Sequence, residues 1–83
     1  MPRYDFGIFG IEVRTNEHNH KGQKAHVHIY IGGIEQGSMF LDGTVKDGLN
    51  GISGKVKKII ARAIVIDQEK YQELWDVYQS SEY

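Results

Sequence analysis

From Ile8 to about Lys46 apolar positions alternate with polar ones and glycines punctuate the runs; from Ser53 onward they recur at three- and four-residue intervals. Phe9, Ile11 and Val13 alternate with Gly10, Glu12 and Arg14, the pattern of a half-buried strand. Thr15 to Lys24 is wholly polar and reads as a loop. His26-Val27-His28-Ile29-Tyr30-Ile31 alternates again, and Gly32-Gly33 supplies the two-residue turn that folds it back. Ile34 to Leu41 forms the next strand, with Gly37 at a bulge. Asp42-Gly43 is a second hairpin turn and leads into a short strand at Thr44-Val45-Lys46.

Asp47 to Gly54 reads as a loop by its glycines and asparagine. Ser53 is placed to cap a helix whose apolar positions are Val56, Ile59, Ile60, Ala63 and Ile64. Asp67 is the predicted N-cap of a second helix, with Glu69 in the turn where the macrodipole favours an acid. Its stripe is Tyr71, Leu74, Trp75 and Tyr78. The expected fold is α+β: a three- to four-stranded antiparallel meander followed by two C-terminal helices packed on one face.

Length and composition narrow the class. The 83 residues, 40% of them hydrophobic, fit one domain with one modest core, residues 1–83. Without cysteine there is no disulfide framework, thiolate zinc site or cysteine nucleophile. A net charge of −1 is not that of a duplex-coating protein. The N-terminus lacks a basic flank followed by an apolar run, and Ala63-Ile64-Val65-Ile66 falls far short of the roughly 20 residues of a membrane span. A soluble cytoplasmic protein is expected.

All four histidines lie between His18 and His28. Alternation puts Val27, Ile29 and Ile31 on the core face, and His26, His28 and Tyr30 on a face the helices are expected to leave open. His18 and His20 sit in the loop that enters the strand. Grouped imidazoles have three physical readings. His18, His26 and His28, with a carboxylate such as Glu17 or Glu12, could ligate a divalent transition metal such as zinc, nickel or manganese. His26 and His28 could act as base and acid in metal-free phosphodiester cleavage. Or the histidines form a polar face that binds a partner or does nothing.

The near-neutral total hides two charged segments. Lys55, Lys57, Lys58 and Arg62 carry +4 in the first helix, a candidate phosphate-binding patch or simply its wet side. Asp67 to Tyr83 carries five acids and one base, and Glu69, Glu73 and Asp76 are candidate contacts for a basic partner. The glycine-rich segment before the first helix could cradle an anion but lacks the Ser or Thr of a P-loop after Gly54-Lys55.

Phe6-Gly7-Ile8-Phe9-Gly10-Ile11, Glu17-His18 and His26-Val27-His28, with a closing Tyr71 to Trp75 element, resemble the bacterial domain-of-unknown-function family 4160. Members of that family read Phe-x-Gly-Ile, then Asp-His-x-Pro-Pro-His-Phe-His, a hairpin and two C-terminal helices. The Pro-Pro pair is absent here, and Ala63-Ile64-Val65 stands where the family has a Trp. The resemblance implies a prokaryotic or mobile-element protein encoded beside a small cognate partner, in a toxin–antitoxin setting. The expected function is then a toxin-like module whose histidine face binds or cleaves RNA. The alternative is a non-catalytic inhibitor module of phage or plasmid type, docking by its sheet face or its acidic C-terminal helix. A homodimer through an open sheet edge is a further arrangement open to so small a sheet.

Overall fold

The computed structural model describes residues 3–13 and 24–80, with side chains described as far as Val77. Five antiparallel strands run in sequence order across one sheet: β1 (Arg3–Asp5), β2 (Gly10–Glu12), β3 (His26–Ile31), β4 (Ile34–Phe40) and β5 (Val45–Gly48). Two helices follow, α1 (Gly54–Ile66) and α2 (Gln68–Ser80). The α+β arrangement is the expected one, with one more strand than the hydrophobic pattern predicts. That strand is β1, a three-residue edge whose Arg3 and Asp5 are exposed and which carries no apolar alternation. It is held by pairing with β2 and by a turn in which Phe6 N–H donates to Phe9 O at 2.8 Å.

Hairpin chemistry sets the register. Gly32 and Gly33 have φ of 59° and 80°, a pair of values that side chains disfavour and that matches the twist of the flanking strands. Ile31 therefore opposes Ile34, and Tyr30 opposes Glu35. One residue later the register shifts, so that Ile29 opposes Gly37. Asp47 and Gly48, expected in a loop, continue β5 because they pair with Ser38 and Gly37. At the β4–β5 turn Asp42 accepts from both the amide and the hydroxyl of Thr44, at 3.0 and 2.6 Å. Those two bonds, with Lys24 nearby, hold its carboxyl below the usual range.

One sheet face and both helices enclose the core. Ile11, Val27, Ile29 and Met39 meet Ile60 and Ile64 of α1 and Tyr71 of α2 in one cluster. Ser53 caps α1, accepting from Val56 N–H at 3.3 Å. The predicted stripe is only partly buried: Ile60 and Ile64 are inside, whereas Ile59 is 44% exposed. Asp67 ends α1 and its carbonyl accepts from Tyr71 N–H at 3.1 Å, so one residue serves both helices. At the start of α2, Gln68 donates to Leu41 O at 2.8 Å and ties the helix to the end of β4.

Tyr71 is buried against Tyr4, edge to face at 5.7 Å, and among the described residues its hydroxyl has no hydrogen-bond partner. Desolvation pushes its pKa up to about 12, helped by the Asp67 carboxylate. A hydroxyl buried without a partner gains nothing from being there, so Tyr71→Phe is expected to be neutral or stabilising in thermal melts. The phenol holds its proton more tightly folded than unfolded. Its contribution is therefore intact below pH 10 and lost as pH rises from 10 to about 12. Over that window the wild type should lose stability faster than Tyr71→Phe.

Candidate functional site

The second face of the sheet is polar. A single row of register partners crosses all five strands: Arg3, Glu12, His28, Ser38 and Asp47. Each pair in the row shares a face because directly opposed residues in a pleated sheet do. Ser38 donates to Asp47 Oδ1 at 3.0 Å, and Tyr30 donates to Glu12 Oε1 at 2.7 Å. The Arg3 guanidinium lies 4.3 Å from the centre of the Tyr30 ring.

The two strand histidines sit in this face, as alternation predicts, but the face is not open around them. His26 is 2% exposed and His28 8%, so the expectation of solvent-facing imidazoles is corrected. Alternation decides which way a side chain points; it does not decide whether anything lies over it. Trp75 of α2, itself buried, brings its indole to 4.9 Å from the His26 ring, and Phe40 opposes His26 across the ladder. The two imidazoles are 5.4 Å apart, edge to face.

Each Nδ1 is committed. His26 Nδ1 is 3.0 Å from Lys24 O; a carbonyl only accepts, so this nitrogen carries the proton. His28 Nδ1 lies 2.9 Å from Glu35 Oε2 and donates to that carboxylate. A carboxylate behind an imidazole orients it and fixes its tautomer, as for a general base. Yet His28 Nε2, the atom that would take a proton from substrate, is buried.

Glu35 is the residue that sequence reasoning missed. Counting back from Gly32-Gly33 puts it opposite Tyr30 and diagonal to His28, so the signal was present in the turn.

The remaining candidates are dispersed. Among the described residues no group of three His, Cys, Asp or Glu is placed to hold a metal ion. His18, the third expected ligand, lies outside the described residues, as do Glu17 and His20. Lys55, Lys58 and Arg62 are exposed on α1 and Lys57 is half-buried. α1 packs with Val27 and Ile29 in the apolar core, whereas the two histidines occupy the alternate positions of β3. Glu69, Glu73 and Asp76 are exposed on α2. Their i, i+4, i+7 spacing places them on one helix face. No helix of the described residues is long and apolar enough to cross a membrane. Comparison with protein families, curated proteins and solved structures returns no match.

Proposed function

We propose that this chain is a non-catalytic protein-interaction module that docks through the acidic face of α2. The observation that supports the reading is the exposed line of Glu69, Glu73 and Asp76, none of which forms an ion pair with a described residue. An exposed carboxylate line favours a partner with a basic, helical or extended face, and its field speeds encounter. The toxin–antitoxin or inhibitor setting implied by the family resemblance suits such a module, since these proteins act by occupying a partner.

RNA cleavage by His26 and His28 is the weaker reading. It needs a buried Nε2 to meet substrate.

One experiment separates the two. The purified chain is expected to form a stoichiometric protein complex that survives His26→Ala and His28→Ala. Joint reversal of Glu69, Glu73 and Asp76 to Lys should weaken it at least tenfold in calorimetry or gel filtration, a little over 1 kcal/mol spread over three pairs. Retention of every complex by the reversed variant would discard the reading. So would RNA cleavage that His28→Ala abolishes.

A further inference from the structure

The acidic line on α2 has its counterpart on α1 of the same sequence. Lys55, Lys58 and Arg62 are separated by three and then four residues. Read backwards, Asp76, Glu73 and Glu69 are separated by three and then four as well. The two lines thus carry the same spacing in opposite chain directions. All six are exposed, and among the described residues none forms an ion pair. Within one chain the two lines run away from a common corner and do not meet.

We infer that a second copy of this chain supplies the basic face that α2 binds, in a two-fold dimer of helix corners. The inference rests on the docking role of α2 and names its partner. A two-fold axis along the bisector of the α1–α2 corner lays α1 of each copy antiparallel on α2 of the other. Counted from Asp67, where α1 gives way to α2, Lys58 and Asp76 both stand nine residues out, and the basic line, from five to twelve residues out, runs beside an acidic line from two to nine. Each contact occurs twice, as an isologous interface requires.

Two further observations favour this occupant. Val65 and Ile66, 46% and 73% exposed, are the last residues of α1, beside the corner where the two copies approach. They border a concave surface of about 480 Å³ whose other lining residues, Asp67 to Lys70 and Glu73, are polar, so two apolar side chains stand at the edge of a charged hollow. In addition, α1 opens with Lys55, Lys57 and Lys58 and has no acid in its first turn, so cations stand at the positive end of its dipole. Carboxylates from a second chain relieve that repulsion.

The test is charge exchange. At low salt the wild type is expected at twice the 9.5 kDa chain mass in light scattering. At about 1 M salt, where the screening length is about 3 Å, it should fall toward one chain. The triple variants Lys55→Glu/Lys58→Glu/Arg62→Glu and Glu69→Lys/Glu73→Lys/Asp76→Lys should each be monomeric alone, with unchanged circular dichroism. Mixed one to one, they should form a heterodimer, because each then offers what the other lacks. A wild type that stays monomeric at millimolar concentration and low salt overturns the inference. So does a dimer that either triple variant preserves. If the wild type is monomeric while a complex with another protein is still lost on reversal of α2, the docking role stands and only the identity of the partner falls.

Discussion

Gly37→Ala is expected to lower stability by roughly 2–4 kcal/mol, a large share of the total for a small domain. Gly37 lies on β4 at φ 151°, where the β5 backbone approaches it closely. A Cβ at this position would run into Asp47 O and stand 2.8 Å from Leu49 N and 2.9 Å from Gly48 Cα. All three are main-chain atoms held by the β4–β5 ladder and by the bond from Leu49 N–H to Gln36 O at 2.8 Å. No side-chain rotation relieves the clash; a strand has to move. The melting temperature should drop by about 10–25 °C. Gly33→Ala is the informative control. It carries the cost of a positive φ but meets no atom within 4 Å, so its loss should be clearly smaller. Equal losses would show that backbone strain, and not the close approach, limits both positions.

Trp75→Ala should cost about 3–5 kcal/mol, the range for removing a large buried aromatic. Trp75 is 6% exposed and is one of two aromatic anchors on α2, the other being Tyr71. Its loss removes the indole beside His26 and weakens the docking of the whole helix. Amide exchange should therefore accelerate throughout α2 more than in α1, whose Ile60 and Ile64 remain in the core. Uniform acceleration in both helices would show that they unfold as one unit.

Much of the architecture follows from pattern alone. Ser53 opens α1 as its capping chemistry predicts, Asp67, expected at the start of the second helix, stands between α1 and α2, and Gly32-Gly33 fixes the β3–β4 hairpin. Gly37 falls at a bulge, as an isolated strand glycine suggests. The β1 strand escapes because three residues with two exposed polar side chains have no period to detect. Asp47 and Gly48 escape for a related reason: glycine is a loop signal locally, and only pairing with β4 makes this one a strand residue.

The candidate site is legible to a different depth. Periodicity puts His26 and His28 on one face and Val27 and Ile29 on the other, which the structure shows. It says nothing about Trp75, forty-nine residues further along the chain, arriving beside His26. Burial of a polar face is a tertiary fact.

The two borders of the sheet bear on what the molecule can become. On one border stands β1, three residues long, with Arg3 and Asp5 at its ends; on the other stands β5, four exposed residues with Lys46 and Asp47 at its centre. Short length and charge are the features by which natural sheets refuse an additional strand. Gly48, at φ 68°, turns the chain away just where an incoming backbone would continue the ladder. A polypeptide guarded in this way is protected from growing into cross-strand aggregates. Any association of this chain is then expected through side-chain contacts, which charge can reverse and salt can dissolve.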